Sequence, residues 1–232
     1  MFIKINPELF KKQNDYVIGV VAANGIDNRT ENKDIENLLK AAVDEQKQLV
    51  AGKVVKDLKE FEPYHTAMRN FGISLSRFQM SVEALLKRLS KGDDMPSIGP
   101  VVNLANTVSL KHHVPIGVHD IDSLAGDLEI RYVKNDDIFE GGEDSSGFDN
   151  EEVVYASGNS IRTRRWIWRQ MPVGRTSENS KNLVFPIDGF TVNMETILAA
   201  REELASLLKQ YFNCETRIGL INQETPAFKI FG

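Results

Sequence analysis

One cysteine, Cys214, stands in 232 residues. A lone thiol cannot close a disulfide within the chain and cannot build a thiolate zinc site, so the cytosol is the natural compartment. Long apolar runs are missing as well. No window approaches the length that a membrane-spanning helix needs, and no membrane partner is expected. The opening residues, Met1-Phe2-Ile3-Lys4-Ile5-Asn6-Pro7, lack an apolar stretch behind a basic start, so no signal peptide is read. There is no nucleophile elbow, Walker loop or dinucleotide fingerprint, and no cofactor is expected. Nor is the chain strongly basic, with 28 Lys and Arg against 33 Asp and Glu and a net charge of −5. What remains is ordinary for a soluble globular protein: 41% hydrophobic and 26% charged residues, enough for a sizeable core.

The charge is unevenly spread. Between Lys134 and Glu152 eight acids face one lysine, a local −7 that leaves +2 for the other residues. Between Arg162 and Arg175 there are five arginines and no acid. Local sign governs a polyanion partner more than total charge does, and any such grip should be modest and salt-sensitive.

Strands and helices are mixed along the chain. Residues 15–23 form an apolar run ended by Asn24-Gly25 and read as a buried strand. Helical spacing appears over about 33–51, 63–70 and Ser81–Leu89. It appears again over Val101–Leu110, which puts Asn103 and Asn106 on one face. The clearest helix runs over about 194–212, with Asn193 placed to cap it. Strands are expected at Ile116–Asp120, Leu128–Val133, Val153–Ala156, Ile161–Gln170, Asn182–Ile187 and Thr216–Ile221. The acidic, Gly/Ser-rich segment 134–150 reads as a mobile loop. With no repeat and no evident linker, residues 1–232 read as one α/β (α+β) domain with mixed sheets and flanking helices.

The stretch Arg162–Gln170 holds both tryptophans and four arginines in nine residues. In an extended strand, alternation sends Arg164, Trp166, Trp168 and Gln170 to one face. That face would offer a guanidinium fork, two indoles and an amide, groups that hold a carboxylate, a phosphate or a planar ring. The competing reading makes the tryptophans core and the arginines a solvated rim. If the face meets a ligand, Arg164→Ala and Trp166→Ala impair binding more than folding.

Four segments, in order and spacing, carry a resemblance. They are Ser81–Leu89, Pro96–Leu110, Pro115–Leu124 with Gly126–Arg131, and Thr176–Phe185, and with their surroundings they make a core at about 60–190. Together they resemble the B-three/B-four domain of the beta subunit of bacterial phenylalanyl-tRNA synthetase. In that family the domain is an α/β module whose editing pocket hydrolyses wrongly attached tyrosine. The resemblance implies a pocket for an amino acid, free or esterified to tRNA. The family's Thr-Asn pair falls at Ala105-Asn106, so the hydroxyl is missing. The editing histidine falls at Gly117, with His119 two residues on and on the same strand face. The editing glutamate falls near Pro172 and Val173, where no carboxylate stands.

Two functions follow from different classes. The first is a freestanding editing or tRNA-binding module that takes aminoacyl-tRNA, or its aminoacyl end, and clears mischarged product in trans. In it His119 and Asn106 serve catalysis, while Asn103, Asn106, Arg164, Trp166, Trp168 and Gln170 bind substrate. The second is a non-catalytic binder of a free amino acid or similar small metabolite. His119 can equally be a hydrogen-bonded strand histidine, Asp120 and Asp122 turn caps, and the two asparagines helix-start polar groups. His112 and His113 point apart with no carboxylate pattern behind them, so no metal is expected.

Overall fold

The computed structural model describes residues 1–139 and 151–231, so residues 140–150 of the expected acidic loop lie outside the described residues. The chain begins with strand β1 (Phe2–Ile5) and a one-turn helix α1 (Pro7–Phe10), which the apolar periodicity did not reveal. β2 (Tyr16–Asn24) and α2 (Lys33–Val50) follow. The Asn32 side chain caps α2 by accepting from the backbone N–H groups of Asp34 and Ile35. Three further helices precede the next strand: α3 (Glu62–Asn70), α4 (Ser81–Ser90) and α5 (Pro100–His112). Pro63 and Pro100 sit in first-turn positions, where their missing N–H costs nothing. The strands β3 (His119–Asp120), β4 (Leu128–Tyr132), β5 (Val153–Ser157), β6 (Ser160–Arg164), β7 (Arg169–Gln170) and β8 (Asn182–Phe190) come next. The chain closes with α6 (Met194–Phe212), β9 (Glu215–Ile221) and β10 (Ala227–Lys229).

These elements make two sheets with flanking helices. One runs β10-β1-β4-β5-β6-β7, the other β3-β8-β2-β9. β1 pairs antiparallel with β10 and parallel with β4, so the two ends of the chain are tied into one sheet. β2 and β8 pair over nine residues, from Tyr16 opposite Phe190 to Asn24 opposite Asn182. Both read as near-continuous apolar runs because both of their faces are covered. Tyr16, Ile18 and Val20 face the core between the sheets, with Ile3, Ile130, Tyr155, Tyr64 and Met68. Val21, Phe185 and Ile187 face a second core under α5 and α6, with Leu104, Val108, Ile197 and Leu204. Two glycines let α6 lie that close. A Cβ on Gly189 would come within 2.4 Å of the Ile197 side chain, and one on Gly19 within 2.9 Å.

Three expectations are corrected. Asn193 stands at the N-cap position of α6 but its side chain gives the helix no capping bond; its oxygen accepts the Phe190 N–H at 2.7 Å and so closes the turn before the helix. The strand expected over residues 116–120 is regular only at His119–Asp120, with an isolated bridge from Ile116 to Ile187. Residues Ile161–Gln170 are not one strand: β6 ends at Arg164, residues 165–168 turn, and β7 returns beside it, Arg164 opposite Arg169. Among the described residues, no helix is long and apolar enough to cross a membrane.

Candidate functional site

The turn at 165–168 is the local reason a cavity exists. Arg165 (φ 45°) and Trp166 (φ 61°) both adopt the left-handed backbone region, which costs a non-glycine residue about 1–2 kcal/mol. The surroundings over-determine it. Glu152 Oε1 accepts the Arg165 N–H at 3.1 Å, Val153 O accepts the Trp166 N–H at 2.6 Å, and Ile167 O accepts the Ser81 N–H at 3.1 Å. The turn drives the Trp166 indole down between the sheets, where it is fully buried against Tyr16, Tyr64, Phe71 and Phe190.

Beside this indole lies a cavity of about 100 Å³. That is several times the roughly 10–15 Å³ that one water needs. Its walls are Tyr155, Trp166, Trp168, Gly117, His119 and Pro186, with Gln170, Thr163, Ser81 and the exposed Arg169 also lining it. Asp188, on the inter-sheet face of β8, lines it too and is 2% exposed. Its carboxylate gathers the surrounding donors. The Tyr16 hydroxyl donates to Oδ1, the Tyr155 hydroxyl lies 2.7 and 2.8 Å from the two oxygens, and Trp166 Nε1 donates at 3.0 Å. Trp166 Nε1 also lies 2.9 Å from the Tyr16 hydroxyl, and the Tyr64 hydroxyl donates to the Asp188 carbonyl at 2.8 Å. Burial pushes the Asp188 carboxyl up to about 6, the three donors offsetting part of that rise. Burial first, then the Asp188 charge, push the Tyr16 and Tyr155 hydroxyls far above the usual phenol range, so both remain donors.

His119 stands on the same wall. Its ring stacks on Tyr155 at 5.5 Å with 17° between planes, and its Nδ1 is buried with no hydrogen-bond partner among the described residues. Burial, with the nearby Arg162 charge added, pulls the imidazole down to about 3, so it is neutral at physiological pH. A Cβ on Gly117 would meet His119 Nε2 and Pro186 Cγ at 3.1 Å each. The ring of residue 119 therefore fills the space into which a side chain at 117 would point.

The structure divides the residues expected from the sequence. It brings His119, Trp166, Trp168 and Gln170 together around the cavity, though through a turn rather than along one strand face. Gln170 Nε2 is committed to the Val118 carbonyl at 2.7 Å. Trp168 is half-buried, edge-on to Phe78 at 4.8 Å, with the Arg165 guanidinium over its ring. Arg164 is not a fork held out to a ligand. It is 1% exposed, and its Nε and Nη2 meet the two oxygens of Glu152 at 2.9 and 2.7 Å. Arg162, two residues earlier, donates to the Ser123 carbonyl and hydroxyl. Asn103 and Asn106 do not line this cavity. Buried Asn103 accepts the Ile98 N–H and donates to Ser97 Oγ, ordering the turn ahead of α5, and lines a separate cleft of about 410 Å³. Half-buried Asn106 is on the same helix. Asp120 caps its turn by accepting the Asp122 N–H, and His112 and His113 pair separately with Glu203 and Glu60.

The sequence reading missed Asp188, Tyr155 and Tyr16. One signal was available: Asp188 is an acid inside an otherwise apolar strand, and an acid in a buried strand needs partners. The strand expected from the sequence ends at Ile187, one residue short of it.

Among solved structures, the chain is similar to an N-terminal fragment of the phenylalanyl-tRNA synthetase beta-subunit from Pyrococcus horikoshii, at 10% identity and a TM-score of 0.45. The match covers 93% of this chain and 50% of that one, so this chain spans half the length of that fragment. No curated protein matches. The family model described as the B3/4 domain matches residues 63–213, which include the cavity's His119, Tyr155, Trp166 and Asp188. The chain belongs to the B3/4 domain family.

Proposed function

We propose that the cavity beside Trp166 takes the aminoacyl end of an aminoacyl-tRNA and that the protein clears mischarged tRNA in trans. One observation carries this reading. Gly117, where the resemblance places the editing histidine, lines the cavity, and the neighbouring imidazole of His119 occupies the vacated space. In the reaction, water adds to the ester carbonyl and the bond to the ribose oxygen breaks. The water's proton ends on that oxygen, leaving a free amino acid and uncharged tRNA. Neutral His119 is suited to orient the water, and the aromatic walls to hold the acyl group. Deacylation of a panel of mischarged tRNAs, read as released amino acid, tests it. Release from at least one of them, reduced in His119→Ala, is expected. No release together with no salt-dependent retention of tRNA removes the reading.

A second reading, a binder of a free amino acid without catalysis, is favoured by one observation. The imidazole is too weak a base at about 3 to take a proton efficiently near neutrality. Thermal shift separates the two, because a bound ligand raises the melting temperature by mass action. A shift with free amino acids and none with aminoacyl-tRNA decides for the second.

A further inference from the structure

Resting on the reading of this cavity as an amino-acid site, we infer that Asp188 and Tyr155 form a receptor for a primary ammonium group, so that the ligand must carry a free, unblocked amine. The argument is an inventory of what the lining still offers. Three of its donors are committed: Tyr155 to Asp188, Trp166 to Asp188 and Tyr16, and Gln170 to the Val118 carbonyl. Acceptor capacity remains. Among the described residues Oδ2 of Asp188 receives one hydrogen bond, at 2.8 Å from Tyr155, and a carboxylate oxygen accepts two. The Tyr155 oxygen donates and keeps its lone pairs, and Gln170 Oε1 is opposite the amide nitrogen already bonded.

A small recess with acceptors at one wall and the faces of Tyr155, Trp166 and Trp168 around it suits an ammonium in both respects. Such a group supplies three N–H donors and is drawn to aromatic faces. At the Asp188 wall an anion meets a carboxylate, although the exposed Arg169 also lines the recess. The donors that Asp188 receives among the described residues are all neutral: two phenols and an indole. They solvate the charge without cancelling it, whereas an ammonium would cancel it.

The test uses intact protein and a panel of L-amino acid amides, each paired with its N-acetyl derivative, read by thermal shift and calorimetry at pH 7.5. The free-amine member of at least one pair should bind, and its N-acetyl partner should bind about tenfold to a hundredfold more weakly, the range for losing hydrogen bonds to a charged group. Asp188→Asn should remove the preference, and Tyr155→Phe, which keeps the ring, should reduce it. Equal binding of both members of a pair, or an undiminished preference in folded Asp188→Asn, overturns the ammonium receptor and leaves the cavity as an amino-acid site. If no member of the panel binds and aminoacyl-tRNA does not bind either, the reading of the cavity itself has failed. The wild-type comparison stands even if Asp188→Asn does not fold.

Discussion

Two buried carboxylates touch the same turn and are treated in opposite ways. Glu152, 3% exposed, accepts the backbone of Arg165 and meets the Arg164 guanidinium with both oxygens. Asp188, 2% exposed, accepts the side chain of Trp166 next to it and receives phenols and an indole. The first has a cation of its own, packed at ion-pair distance. The second has solvation and lines a cavity. A buried charge is costly unless it is paired. A fold that spends a guanidinium on one carboxylate and neutral donors on the other has made the first a fixture and left the second chemically unfinished. The turn's two left-handed residues lie between them, so the clamp at Glu152 is what holds the cavity wall at Trp166.

The largest effect should come from breaking the fixture. Arg164→Ala leaves the Glu152 carboxylate buried without its partner, which costs about 3–5 kcal/mol. That is a large share of the roughly 5–15 kcal/mol that holds a typical domain together. Denaturant melts should show it whether or not any ligand is present. Trp166→Ala falls in the same range, about 3–5 kcal/mol, because it empties a fully buried site and takes the indole N–H away from the Tyr16 hydroxyl and the Asp188 carboxylate. Both changes therefore act on folding first, contrary to the sequence-based expectation that they would act mainly on binding. Arg164→Ala melting like wild type would mean that the two carboxylates do not differ in the way the geometry says.

A smaller effect, opposite in sign at two neighbouring residues, should appear in the pH dependence of stability. The Asp188 carboxyl is raised from 3.8 to about 6. Its contribution is fully present below 3.8 and is lost as pH rises through about 6, a swing of about 3 kcal/mol. His119 is lowered from 6.5 to about 3, so its contribution is present above 6.5 and is lost as pH falls toward 3. The groups that face Asp188 are Tyr16 on β2, Tyr155 on β5, Trp166 in the turn and, at the backbone, Tyr64 on α3. The two contributions partly cancel in the wild type between pH 4 and 6. Asp188→Asn should unmask the His119 slope, with melting temperature rising more steeply from pH 4 to 7 than in wild type. His119→Gln should unmask the Asp188 slope, with melting temperature falling over the same interval. Parallel curves for the two variants would mean that the two groups are not both buried in the folded state.

How much of this could be read beforehand depends on the range of the interaction. Elements set by local periodicity were legible: α2, α4, α5 and α6 stand within a residue or two of where apolar spacing put them. The segment with both tryptophans was also legible as the place to look, since three of its residues, Trp166, Trp168 and Gln170, line the cavity. Its conformation was not. Nothing local distinguishes Arg165-Trp166 from strand residues, because the left-handed turn is imposed by Glu152 and Val153, more than ten residues away. The role of Arg164 failed for the same reason, its partner being twelve residues away on the far side of a hairpin. Asp188 draws on Tyr16, 172 residues distant, and no spacing rule reaches that far. β1 and β10 escaped notice because short strands held by pairing to each other and to β4 carry little periodic signal of their own.

The smallest expected effect on folding sharpens the comparison most, since it separates the cavity from the core that holds it. Trp168 shares the lining with Trp166 but is half-buried, and its indole nitrogen takes no part in the Asp188 cluster. Its packing includes an edge-on contact with Phe78 and the guanidinium groups of Arg165 and Arg169 over the ring. Replacing it by alanine loses one aromatic pair, about 0.5–1.5 kcal/mol, and two cation–π contacts, one of them to the exposed Arg169, each about 0.5–1 kcal/mol. Trp168→Ala should therefore melt within a few degrees of wild type while binding of a free-amine amino acid amide weakens severalfold. The two tryptophans thus make a matched pair of probes on one turn, with Trp166→Ala losing fold and ligand together and Trp168→Ala losing ligand alone. Unchanged binding in Trp168→Ala would move the acyl group away from this indole and toward His119 and Pro186, which also line the cavity.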